Sequence, residues 1–137
     1  MVEPDGQTSS VELESNILAP RDARRFLRET LGTWKLDGFG DVTELLTDEL
    51  VSNVVRHVGS PIQVRATRRP SSIRIEVHDA SSEPPVRRAQ SLTADNGRGI
   101  QLVESLSTAW GVDVDDDGKT VWFEIDCDEA TEEVHGD

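Results

Sequence analysis

Cysteine is nearly absent from this 137-residue chain: Cys127 stands alone, which excludes an internal disulfide framework. Long apolar runs are absent too. No stretch approaches the roughly 18 continuous apolar residues of a membrane span, and the opening MVEPDG has neither the basic start nor the apolar run of a secretory leader. Together these absences predict a protein of the reducing cytoplasm, away from membranes. Positive charge is also in short supply. A net charge of -13 repels a phosphate backbone and argues against direct nucleic-acid binding. Any polyphosphate ligand would therefore need a divalent cation and locally placed arginines. Lysine in particular is scarce, with two residues against twelve arginines.

What is present fits one domain with a single core. Residues 1–10 are polar and residues 127–137 acidic, so both predict disordered tails around a domain at 11–126. Val11, Leu13 and Ser15 alternate with charged neighbours and suggest a first strand. Pro20 is placed to open a helix in which Ala23, Phe26, Leu27, Thr30 and Leu31 follow at helical spacing, up to Gly32. A second helix is expected from about Asp41 to Val58, stopped by Gly59-Ser60-Pro61. Two alternating runs, Ile62-Val64-Ala66 and Ile73-Ile75-Val77, flank RRPSS and read as a hairpin. The aperiodic stretch from Ala80 to Asn96 is too long for an ordinary connection and predicts a lid or binding loop. A third helix is expected over about Arg98 to Ala109, with Ile100, Leu102, Val103 and Leu106 as its apolar positions. A last hairpin then pairs Trp110 to Val114 with Thr120 to Ile125. The sum is an α+β fold: a two-layer α/β sandwich, with a mixed, mostly antiparallel sheet of about five strands and three helices on one face.

Four short elements carry the chemistry, in a fixed order: ELVSNVVRHV (Glu49 to Val58), VHDAS (Val77 to Ser81), NGRGI (Asn96 to Ile100) and GKTVWF (Gly118 to Phe123). On the second helix, Leu46, Leu50, Val54 and Val58 form one file, and Glu49, Asn53 and His57 form the file beside it. This border is either the edge of an amphipathic helix or a carboxylate and an amide aimed one turn apart into a cleft. His57 fits a packed, hydrogen-bonded position. Asp79 ends a strand, as a turn former or as an acceptor at the sheet edge. Gly97-Arg98-Gly99 opens the third helix, as a plain turn or as bare N–H groups facing an anion, with Arg98 adding a charge-assisted contact.

In order and spacing these elements resemble the nucleotide site of the GHKL ATPase superfamily, most closely its branch of anti-sigma-factor serine/threonine kinases, over roughly Val11 to Ile125. The resemblance implies the Bergerat-type sandwich, ATP and Mg²⁺ as ligands, Glu49 as general base and Asn53 as metal ligand. It further implies Asp79 as acceptor for the adenine amino group, Gly97, Arg98 and Gly99 at the phosphates, and Thr120 directed toward adenine beside Asp79. Relatives generally have glycines two and four residues after this aspartate, where this chain has Ser81 and Glu83. The implied activity is phosphorylation of a serine or threonine on an anti-anti-sigma partner, with sequestration of a sigma factor and a possible homodimer. The alternative is a non-catalytic, nucleotide-gated or nucleotide-free binding module of the same fold.

Three further patterns have ordinary explanations. Asp113 to Glu124 satisfies the EF-hand spacing, but VWFEI alternates as a strand where an exiting helix is required. Gly118-Lys119-Thr120 mimics the end of a P-loop, yet position 113 is Asp and no helix follows. Arg21, Arg24, Arg25 and Arg28 share one face of the first helix, either as a solvated face or as a dock for an acidic partner.

Overall fold

Strict alternation builds the sheet. The computed structural model describes residues 7–81 and 101–127. In β2 (Ile62–Arg68) and β3 (Ser72–Asp79), Ile62, Val64, Ala66, Ile73, Ile75, Val77 and Asp79 are buried, and their sequence neighbours face the other way. β1 (Thr8–Leu13) pairs with β2, placing Val11 opposite Val64. β5 (Gly118–Asp126) pairs with β3, and β4 (Ala109–Asp115) closes the far edge on β5. The strand order is β1-β2-β3-β5-β4, and all four pairings are antiparallel. β1 starts inside the stretch read as a tail, because Thr8, Ser9 and Ser10 find ladder partners in Thr67, Ala66 and Arg65. The remainder of both expected tails lies outside the described residues apart from Gln7 and Cys127.

The helices cover the apolar face, as expected from the sequence. α1 (Ala19–Thr33) carries proline in its first turn and buries Ala23, Leu27, Thr30 and Leu31. It runs past Gly32, the expected stop. The left-handed residue is Lys35 instead (φ 62), whose N–H bonds the Gly32 carbonyl at 3.0 Å, while Leu36 N–H bonds the Leu31 carbonyl at 2.8 Å. This turn delivers Trp34 and Leu36 to the core, and their burial outweighs the glycine signal. A 3₁₀ turn (Asp37–Phe39) leads into α2 (Gly40–His57), which ends on Gly59 at φ 78. Arg56 and His57 occupy its last turn, favourable for the helix dipole.

The third helix, α3, is described over 101–106. It stops before Ala109, the expected end, because Thr108 N–H bonds the Glu124 carbonyl at 2.7 Å and Ala109 enters β4 opposite Glu124. Val103 is fully buried, whereas Leu106, another of the helix's apolar positions, is 45% exposed. One core unites these layers: Leu27, Leu46 and Val51 from the helices meet Ile62, Ile75, Val77 and Phe123 from the sheet. Each such side chain contributes about 1.5–3 kcal/mol by leaving water.

Two of the four arginines on the α1 face join the helices to each other. Arg24 reaches Asp48 at 3.1 Å and Arg28 reaches Glu44 at 2.9 Å, both acids on α2. The hydrogen bond from Arg28 to Glu44 raises the arginine pKa above its ordinary value. On the sheet face opposite the described helices, the Arg74 guanidinium lies 4.1 Å from the centroid of the Trp122 ring and donates to Glu76 and Glu124 at 3.0 and 2.9 Å. Beneath that ring is Gly111, where a Cβ would come within 2.6 Å of Trp122. Among the described residues no helix is long and apolar enough to cross a membrane.

Candidate functional site

Helical spacing places Glu49, Asn53 and His57 along the edge of α2, all three half-buried, beside the buried Leu46, Leu50 and Val54. Because α2 packs on β3 and α1, this edge is the transition from core to surface. Neither Glu49 nor Asn53 hydrogen-bonds or ion-pairs with another described residue. A carboxylate and an amide one turn apart therefore keep their oxygens uncommitted, which fits a role in holding a hydrated divalent cation and a polar ligand.

The end of β3 presents the opposite situation. Asp79 is 1% exposed and faces the helices together with Ile73, Ile75 and Val77. Directly across the ladder on β5 stands Lys119, only 5% exposed. Its ammonium donates to both carboxylate oxygens of Asp79, at 3.0 Å to Oδ1 and 2.8 Å to Oδ2. Ser81 N–H adds a third bond, 2.7 Å to Oδ1. The approach is tight because Gly118, at φ 139, lies against the end of β3: a Cβ there would fall 2.0 Å from the Asp79 carbonyl oxygen. Only glycine fits that position.

Thr120 stands elsewhere. One residue past Lys119, it projects from the opposite face of β5 and shares a hydrogen bond of 3.0 Å with His78 Nδ1. There it lines a shallow depression of about 250 Å³ with Gln63, Arg65, Glu76, His78 and Asp117. The expectation of Thr120 beside Asp79 is thus corrected, since strand alternation gives the inward position to Lys119. Gly97, Arg98 and Gly99 lie outside the described residues, as does the loop from position 82 to 96.

The acids of the EF-hand-like stretch sit on a two-strand hairpin. Asp113, Asp115 and Asp117 are exposed, and Glu124, on β5, is held by Arg74 of β3. Among the described residues no group of three or more His, Cys, Asp or Glu could hold a metal ion.

A family model, the histidine kinase-like ATPase domain, matches residues 14–125. The chain belongs to that family. Solved structures agree at the level of fold. The RsbU and RsbW domains of Rv1364c from Mycobacterium tuberculosis superpose with a TM-score of 0.64 at 19% identity, over 87% of this chain and 31% of that one. The histidine kinase domain of the blue-light activated histidine kinase EL346 from Erythrobacter litoralis superposes with a TM-score of 0.51 at 20% identity, over 64% of this chain and 44% of that one. This chain therefore spans about a third to under half of the length of these solved relatives. No curated protein matches it.

Within this histidine kinase-like ATPase domain, the residue that motif reading missed is Lys119. The signal was available. Val121, Phe123 and Ile125 mark the inward parity of β5, and Lys119 has the same parity. Reading Gly118-Lys119-Thr120 only as a P-loop mimic hid a buried cation beside the candidate base-reading acid.

Proposed function

We propose that this histidine kinase-like ATPase domain binds Mg-ATP and transfers the γ-phosphoryl group to a serine or threonine of an anti-anti-sigma partner, acting otherwise as an anti-sigma factor. The observation that carries this reading is the pair Glu49 and Asn53, half-buried on one edge of α2 with uncommitted oxygens. Asn53 would hold Mg²⁺ through its amide oxygen, and the metal would supply neutralisation of charge on the phosphates. Glu49, one turn away, accepts the proton of the attacking hydroxyl, a role that needs an unpaired carboxylate at hydrogen-bonding reach. Asp79 reads the base. Gly97, Arg98 and Gly99 complete the proposal at the phosphates. The fold shared with the RsbU and RsbW domains is consistent with this assignment.

A second reading is favoured by one observation. Asp79 already accepts three hydrogen bonds from within the chain, two from Lys119 and one from Ser81. A binding module of the same fold, holding its partner without chemistry, would have reason to close its base-reading acid in this way. Incubating the purified protein with labelled ATP, Mg²⁺ and a small anti-anti-sigma protein separates the two. Label appearing on the partner, and lost in Glu49→Gln, is the result expected of the kinase. Partner binding without label in the wild type is the result expected of the module.

A further inference from the structure

The buried ion pair between Asp79 and Lys119 changes what a base would meet at this site. On the reading that Asp79 lies at the base, a lone carboxylate offers acceptors only, so it welcomes the amino group of adenine and repels a carbonyl at the same position. Here the carboxylate does not act alone. Lys119 is bonded to both of its oxygens, and Oδ1 also accepts from Ser81 N–H.

Two outcomes are open to an arriving base: it expels the ammonium, or it binds to the pair. Expulsion would exchange two charge-assisted hydrogen bonds, roughly twice as strong as neutral ones, for one neutral amino donor, and would strand a cation that is 5% exposed. Binding to the pair keeps both of those internal bonds. After its internal bonds, Asp79 Oδ2 retains one acceptor position. Of the three N–H groups of Lys119, two are used, and among the described residues the third has no acceptor. An acceptor and a donor thus stand side by side, within 2.8 Å of each other.

We propose that Lys119 is a second base-reading residue, and that the Asp79–Lys119 pair admits 6-oxopurine as well as adenine nucleotides. Adenine fills the pair with its amino group on Asp79 and a ring nitrogen on Lys119. Hypoxanthine or guanine fills it with N1–H on Asp79 and O6 on Lys119. A side chain without a donor at position 119 leaves O6 facing a bare carboxylate and restores adenine selectivity, and a neutral donor does so in part. This inference rests on the nucleotide reading of the site but not on phosphoryl transfer, so binding measurements suffice to test it.

The experiment is competitive titration of Mg-ATP and Mg-ITP, which differ only in the 6-substituent and the hydrogen on N1 that goes with it, against wild type, Lys119→Met, Lys119→Gln and Asp79→Asn, with folding checked by circular dichroism. At about pH 8, where carboxylates carry charge, wild type should bind the two within about tenfold of each other, and Lys119→Met should shift the ratio toward ATP by about tenfold or more. Lys119→Gln, which keeps a neutral donor and a polar head, carries the test if the methionine variant does not fold, and should shift the ratio in the same direction by about threefold or more. A ratio unchanged by either substitution, while Asp79→Asn weakens ATP, overturns the inference and leaves the nucleotide site standing. ATP binding that appears only once Lys119 is removed also overturns it, since Lys119 would then block the site. Failure of every variant to bind either nucleotide, or indifference of both to Asp79→Asn, removes the nucleotide site itself and the inference with it.

Discussion

Replacing Lys119 with methionine should be among the most destabilising single changes available on the sheet. The ammonium is bonded to both oxygens of a carboxylate that is 1% exposed, and the lysine itself is 5% exposed. Methionine matches the length of the aliphatic stem, so little packing is lost, but the carboxylate remains buried with only the Ser81 N–H as a donor. Removing one partner of such a pair costs on the order of 3–5 kcal/mol, far above the 0–1 kcal/mol of an exposed pair. The double variant Asp79→Asn, Lys119→Met removes both charges, so it should recover most of that loss. Equilibrium unfolding in urea of wild type, both single variants and the double variant gives the coupling energy directly. A loss below about 1 kcal/mol in Lys119→Met, or a double variant no more stable than the singles, would refute the argument that burial makes this pair interdependent.

Other substitutions probe separate parts of the molecule. Glu49→Gln should preserve the fold and Mg-ATP affinity while slowing single-turnover phosphoryl transfer by about 10²–10⁴-fold; transfer at the wild-type rate removes Glu49 as the base. Chelating divalent metal with EDTA should abolish ATP binding in calorimetry, because a chain of net charge -13 repels bare triphosphate. Gly118→Ala should cost more than about 2 kcal/mol in a urea melt, since its Cβ would strike the Asp79 carbonyl at 2.0 Å and its φ is 139. Lys35→Gly should move stability the other way, by about 0.5–1 kcal/mol, because φ 62 is strained for lysine and relaxed for glycine.

Much of the fold was legible because its elements announce themselves locally. The alternation of Ile62-Val64-Ala66 and Ile73-Ile75-Val77 gave both strands and the hairpin, and the glycine after Val58 marked the end of α2. Where reading failed, a tertiary demand overrode a local signal. Gly32 lost to the burial of Trp34 and Leu36, and the expected end of α3 lost to the ladder between Ala109 and Glu124. The α2 edge with Glu49 and Asn53 could be seen in the spacing alone. The partner of Asp79 could not be seen by motif, because the two residues are 40 positions apart and meet only through strand register.

That separation bears on how the molecule comes together in time. β2 with β3, and β4 with β5, are hairpins whose partners lie close in sequence, so each forms with little loss of chain freedom. The seam between β3 and β5 is different, for it joins the hairpins across the whole intervening segment, and Asp79 and Lys119 stand at its end. Asp79 therefore acquires its neighbour only when this long-range closure is complete. A destabilisation at this seam should appear in the unfolding rate and leave the refolding rate nearly unchanged, which stopped-flow urea jumps on Lys119→Met would resolve. The candidate site doubles as a clasp of the sheet, and its integrity reports on whether the two hairpins have joined.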